Sequence, residues 1–216
     1  MPEKPEVGPH DPLFRWVILP LAKLICWIVL TVCGPFRCRN RRNVPRQGGL
    51  LVLANHQSDI DPVAVQLSCP RPIHFMAKSE LFEMKVLGDV LRRFDAFPVK
   101  RGEPDRASIK KAVALLRAGE VVCVFPEGQL SETGALQELK AGIVLLVRMG
   151  EVPAICLGLN GTNRIMPYAK TKPRFAFHLV TATWGKAKTF GKDGTTEEIM
   201  AWADAELKSL MGQAES

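Results

Sequence analysis

From residue 48 onward the chain alternates short apolar runs with stretches of helical periodicity. Leu50–Ala54, Ile73–Ala77, Ala96–Val99, Val121–Phe125 and Ala154–Leu159 are runs of four to six mostly apolar residues, a length suited to buried strands. Between them, apolar positions recur at three- and four-residue spacing over Pro62–Leu67, Glu80–Arg92, Asp105–Arg117 and Leu136–Met149, which predicts helices. Strands alternating with helices imply an α/β fold, a mainly parallel sheet flanked by helices. Arg174–Thr183 alternates as an edge strand would, and Trp184–Phe190 reads as a further strand. Thr195 with Glu198 forms a capping box that opens a last amphipathic helix to about Leu210.

The pattern before residue 48 is different. Residues 1–12 hold four prolines and several charges and are expected to form a flexible tail. Leu13 to Phe36 is strongly apolar, with Thr31 the one polar residue between Leu24 and Cys33 and with Trp16 and Trp27 suited to a membrane interface. A bilayer span takes about twenty apolar residues, and this stretch reaches that length only by including Pro20 and Lys23. A monotopic or re-entrant anchoring helix is therefore expected, with Lys23 reaching toward head groups. Arg37, Arg39, Arg41, Arg42 and Arg46 follow, five arginines in ten positions. Such a cluster is drawn to anionic lipid and argues for a cytoplasmic membrane face. The expected boundaries are a tail at 1–12, a membrane-associating segment at 13–47 and a folded domain at 48–216.

Composition narrows the partners. Lysine and arginine total 29 against 22 acidic residues, a surplus that favours anionic partners such as a phospholipid membrane surface. No RNP-type aromatic motif or zinc-finger spacing is present, so nucleic acid is not expected as a partner. The six cysteines include no Cys-x-x-Cys pair, and His10, His56, His74 and His178 are widely separated. Free buried thiols, with no metal site and no cofactor, are expected.

Candidate chemistry lies after two of the predicted strands. Asn55-His56-Gln57-Ser58-Asp59-Ile60-Asp61 follows the first run, and Phe125-Pro126-Glu127-Gly128-Gln129-Leu130-Ser131 closes the fourth. Loops at the carboxyl ends of strands are where α/β folds place their chemistry. His56 can take a proton near neutral pH, and a carboxylate on its far nitrogen would fix its tautomer, a role open to Asp61. The alternative for Asp59 and Asp61 is helix capping ahead of Pro62. Ser58 lies close to His56 but has no Gly-x-Ser-x-Gly elbow around it. Asn160-Gly161-Thr162 matches a glycosylation acceptor and reads as a turn after a strand.

An Asn-His pair, four residues and an Asp, followed some seventy residues later by Phe-Pro-Glu-Gly, resembles the glycerolipid acyltransferase family, the lysophospholipid acyltransferases related to 1-acylglycerol-3-phosphate acyltransferase. The resemblance continues through Phe97-Pro98-Val99-Lys100-Arg101-Gly102 and Val152-Pro153-Ala154-Ile155 and covers roughly Gly48 to Phe190. It implies a glycerol-3-phosphate acyltransferase-like fold at 48–216. It also implies an O-acyltransferase that moves an acyl chain from acyl-CoA or acyl-carrier protein, as co-substrate, to a lysophospholipid. His56 and Asp61 would be catalytic. Asn55, Lys100, Arg101, Glu127, Gly128 and Ser131 would position the acceptor, Arg101 through its planar fork to phosphate. The commonest family pattern has Thr-Arg-Ser after Glu-Gly, whereas this chain has Gln129 and Leu130 before Ser131, which removes an expected phosphate contact. Two other readings remain open: a lipid-binding protein that keeps the fold without activity, and a lipid esterase or thioesterase.

Overall fold

The structure, a computed structural model, describes residues 13, 17, 19–100, 105–170, 174, 177–191 and 194–212. Its helices are α1 (Leu19–Cys33), α2 (Asp61–Ser68), α3 (Lys85–Arg93), α4 (Arg106–Arg117), α5 (Gly142–Gly150), α6 (Thr162–Ile165) and α7 (Thr196–Leu210). The strands are β1 (Phe36–Arg39), β2 (Leu50–Ala54), β3 (His74–Lys78), β4 (Phe97–Val99), β5 (Val121–Val124), β6 (Ala154–Asn160) and β7 (Val180–Trp184). They form one sheet in the order β1-β7-β6-β2-β5-β3-β4. Every pairing is parallel except β6 with β7.

Period-two alternation along fully buried strands builds two cores. Leu51, Leu53, Val122, Val124 and Cys156 face one side and pack with residues of α4, α5 and α7. Leu50, Val52, Val121, Cys123, Ile155 and Leu157 face the other, against Ala64 and Val65 of α2 and Trp184 of β7. Burying one such aliphatic side chain contributes about 1.5–3 kcal/mol, so the central strands are the most firmly held part of the molecule.

The predicted strands after residue 48 appear within a residue or two of their expected bounds, with three differences of substance. Leu136–Met149 becomes helical only from Gly142. The preceding backbone is diverted, because the Gln137 N–H donates to Glu127 and the Lys140 N–H to the Pro126 carbonyl. Glu80–Arg92 splits into a 3-10 turn at Ser79–Phe82 and α3. Phe82 and Leu91 both pack on the core beside α2. Nine residues apart at about 100° per residue, they would face opposite ways in one unbroken helix.

The third difference concerns the sheet's edge. Arg174–Thr183 was expected as an edge strand, yet only Val180–Trp184 is strand and β1 covers it, pairing Phe36 with Val180 and Arg39 with Thr183. Residues 171–173, 175 and 176 lie outside the described set. Trp184–Phe190 is not a continuing strand; beyond Trp184 a single bridge joins Lys188 to Ala154. The sheet thus begins at Phe36, inside the segment expected to serve the membrane. At the carboxyl end, Thr195 caps α7 by accepting from the Glu198 N–H at 3.1 Å, while the Glu198 carboxylate meets Lys188.

Residues 1–12 lie outside the described residues. α1 carries LPLAKLICWIVLTVC, and Leu21, Leu24, Ile25, Trp27, Ile28 and Val32 are between 48% and 55% exposed. At 1.5 Å per residue α1 is about 22 Å long, short of the roughly 30 Å hydrocarbon layer. Among the described residues no helix is long and apolar enough to cross a membrane.

Candidate active site

β2 lies between β5 and β6 and runs parallel to both, with Leu53 beside Val124 and Ala54 beside Leu157. Their following loops therefore emerge on one edge of the sheet, and the two motifs separated by some seventy residues of sequence meet there.

His56 is 7% exposed and Asp61 is fully buried. The His56 Nδ1 stands 3.0 Å from Asp61 Oδ2, and since a carboxylate only accepts, Nδ1 carries the proton and Nε2 keeps its lone pair. Asp61 Oδ2 also accepts from the N–H groups of Gln57 at 2.6 Å and Ser58 at 2.7 Å. Those donors lie upstream of α2, whose own N-cap is Ile60, so Asp61 braces the loop rather than capping the helix. Its other oxygen, Oδ1, is buried without a hydrogen-bond partner among the described residues. The imidazole stacks on Phe125, ring centroids 4.0 Å apart, a contact that fixes the ring plane. Sequence gave no role to Phe125, although it opens the second motif. The Ser58 hydroxyl donates to the Met166 carbonyl at 2.8 Å, which ties it to the end of α6.

Glu127 is buried, and both its oxygens hold backbone. Oε1 accepts the His56 N–H at 2.7 Å and Oε2 accepts the Gln137 N–H at 2.9 Å. Burial raises its pKa above the usual glutamate value, opposed by these two N–H donors. Gly128 has φ of 71°, where a side chain would be strained, and its N–H closes a turn on the Phe125 carbonyl at 3.0 Å. Ser131 donates its N–H to the His56 carbonyl at 2.8 Å and its hydroxyl to the Ala135 carbonyl at 2.7 Å. Asn55 makes a reciprocal pair with Leu159, accepting its N–H at 2.7 Å and donating to its carbonyl at 3.0 Å. Asn55, Glu127 and Ser131 thus join the loops after β2 and β5 and the end of β6 into one frame around His56.

Lys100 is exposed at the end of β4, and its N–H donates to the Asp105 carboxylate at 2.9 Å. That bond, ahead of those from Ser108, lowers Asp105 to about 2. Arg101 lies outside the described residues. In place of the family's Thr-Arg, Gln129 is exposed and donates to the Gln137 side chain. Asn160 ends β6, Gly161 turns and Thr162 opens α6, as expected for a turn after a strand. This third loop reaches the same edge, a placement that apolar periodicity does not reveal.

A family model described as Acyltransferase matches residues 35–160, a span that takes in β1. The 1-acyl-sn-glycerol-3-phosphate acyltransferase of Bacillus subtilis is 34% identical over 137 residues, covering 63% of this chain and 68% of that protein. The Streptococcus pneumoniae protein of the same name is 28% identical over 76% of this chain and 56% of its own length. A chloroplastic relative from Arabidopsis thaliana is 31% identical over 53% of this chain, which spans about a third of it, 33%. The crystal structure of the 1-acyl-sn-glycerophosphate acyltransferase PlsC from Thermotoga maritima superposes with a TM-score of 0.76 over 92% of this chain and 81% of that one, at 19% identity. That likeness speaks for the fold, while the family model and the Bacillus relative speak for descent: the chain belongs to the glycerolipid acyltransferase family and is an acyltransferase.

Proposed function

We propose that this chain is a membrane-associated O-acyltransferase that transfers a fatty acyl group from acyl-CoA or acyl-carrier protein to a lysophospholipid, with 1-acylglycerol-3-phosphate as acceptor and phosphatidic acid as product. The observation that carries the reading is the His56–Asp61 contact of 3.0 Å, with Asp61 held by two backbone N–H groups. The acceptor hydroxyl gives its proton to Nε2 as its oxygen attacks the thioester carbonyl carbon. Asp61 stabilises the imidazolium. Collapse of the tetrahedral intermediate breaks the carbon–sulfur bond, and the leaving thiolate takes the proton back from Nε2. A positioned base contributes about 10²–10⁴-fold. Glu127, Asn55 and Ser131 keep the base in place, Lys100 supplies positive charge from the β4 end, and the family resemblance gives Arg101 a part in holding the acceptor phosphate.

The exposed apolar side chains of α1 support a peripheral or monotopic attachment, because their burial in lipid would remove them from water. Arg37, Arg39, Arg41, Arg42 and Arg46 are all exposed just beyond that helix, which favours the anionic cytoplasmic face of the cell membrane. The test is release of thiol from acyl-CoA by purified protein in detergent. Release that requires lysophosphatidic acid and yields phosphatidic acid by mass spectrometry supports the reading. Free fatty acid formed without an acceptor would point to a thioesterase and overturn it, as would lysophosphatidic acid binding with no acyl transfer to any lysophospholipid.

A further inference from the structure

Beside the catalytic loop lies a cavity of about 460 Å³ whose polar lining comes from Gln57, Thr133, Asn160, Asn163, Arg164 and His178. The volume is that of a small-ligand site. Among the described residues no carboxylate lines it and none pairs with Arg164, whose guanidinium meets the His178 Nδ1 at 3.1 Å. A guanidinium only donates, so the imidazole accepts from it. The result is one full positive charge set among neutral polar groups, a surrounding that suits an anion.

The cavity's position relates it to two other parts of the molecule. Gln57 follows His56, so their Cα atoms are about 3.8 Å apart. The loop carrying Thr133 and Gly134 is bonded to His56 through Ser131. A Cβ at Gly134 would meet the tip of the Asn163 side chain, so the loop lies close against α6. On the other side, the His178 carbonyl lies against Gly34, where a side chain would collide with it, and the Pro35 carbonyl accepts from Val180. Leu179 and Phe177, exposed by 38% and 83%, continue the apolar surface from the end of α1. Ile165 and Val180 pack with Phe36 and with Val63 of α2, fixing α6 between the membrane-side strand and the helix that carries Asp61.

We infer that Arg164, with Asn163 and His178, binds the phosphate of the acceptor and supplies the guanidinium that the loop after Glu127 lacks at Leu130. The inference rests on the acceptor's being a phosphomonoester, as in the function proposed above. In 1-acylglycerol-3-phosphate one ester oxygen and two carbons separate the phosphorus from the reactive hydroxyl. A phosphate seated beside Gln57 therefore leaves that hydroxyl near His56, with the acyl chain free to run toward α1.

Arg164 is exposed, so Arg164→Gln should fold. Loss of one charge-assisted contact predicts a KM for lysophosphatidic acid raised about ten- to a hundred-fold, with kcat and the KM for acyl-CoA within about two-fold and with Arg164→Lys falling between. Phosphates of the acyl donor share this chemistry, so the two substrates are varied separately. An effect confined to acyl-CoA overturns the assignment, as does an unchanged KM for lysophosphatidic acid or an equal rise for uncharged monoacylglycerol. Calorimetric titration of lysophosphatidic acid into His56→Ala protein, with and without Arg164→Gln, reads the site without turnover. Weakened binding on adding Arg164→Gln upholds the site even if no acyl transfer is ever detected, and equal binding overturns it.

Discussion

The loop from Asn55 to Asp61 and the helix α1 solve opposite problems with the same chain. In the loop, polar groups are taken out of water and most are given partners: Asn55 has Leu159, the His56 N–H has Glu127, and the Gln57 and Ser58 N–H groups have Asp61. In α1, the described apolar side chains are left in water without a core to join. The first arrangement fixes the position of the His56 ring at the cost of desolvating two carboxylates. The second leaves apolar surface that only another apolar phase can cover. Substitutions in the loop should therefore damage chemistry and folding together, whereas substitutions in α1 should change location and spare both.

Asp61→Asn gives the largest effect expected among changes to the supports of the base. The amide cannot accept from three donors on one atom and stabilise an imidazolium as a carboxylate does, so kcat should fall by about 10²–10⁴. The same variant should lose about 1–3 kcal/mol of stability in urea unfolding as a buried N–H is left unmatched. Full stability with lost turnover would show that the loop is held by something other than Asp61.

Glu127→Gln comes next. One oxygen of the amide can still accept a backbone N–H, but its NH₂ then faces the N–H of His56 or Gln137, and about 1–3 kcal/mol should be lost. Because burial raises the carboxyl pKa in the folded state, the folded protein holds this proton more tightly than the unfolded chain. Wild-type stability relative to Glu127→Gln should therefore fall as pH rises from the ordinary glutamate range through the raised folded value, and then level off. A difference that grows with pH across that window would contradict the assigned shift.

On the other side of the comparison, Leu24→Ser with Trp27→Ser should reduce sedimentation with phospholipid vesicles about ten-fold, as expected from losing part of two apolar burials. Turnover of a short-chain acceptor in detergent should hardly change. Equal losses in both assays would mean that α1 supports the fold rather than the attachment. Smallest is Arg37→Gln alone, which should weaken binding to anionic vesicles by about 1 kcal/mol, or about five-fold. Neutral vesicles should not respond, and salt should remove the difference.

The two regions also differed in how far sequence foretold them. β2 and β5 were legible because a strand buried on both faces reads as an unbroken apolar run, and His56, Asp61 and Glu127 were legible because they close those runs. β1 was not, since Phe36-Arg37-Cys38-Arg39 alternates like a basic linker and its strand character comes from pairing with β7, about 145 residues later. The late start of α5 was hidden for a related reason: Gln137 and Lys140 have helical surroundings in sequence, yet their N–H groups are used by Glu127 and Pro126. Arg164 and His178 carried no local signal, because what joins them is the antiparallel turn from β6 into β7.

The central claim is that the Nε2 of His56 collects the acceptor's proton while Asp61 holds the ring. It is tested most directly by thiol release from acyl-CoA in the presence of lysophosphatidic acid, comparing wild type with His56→Ala protein whose fold is verified by circular dichroism. The account predicts a rate at least about 10²-fold lower with lysophosphatidic acid binding retained; turnover at the wild-type rate would contradict it.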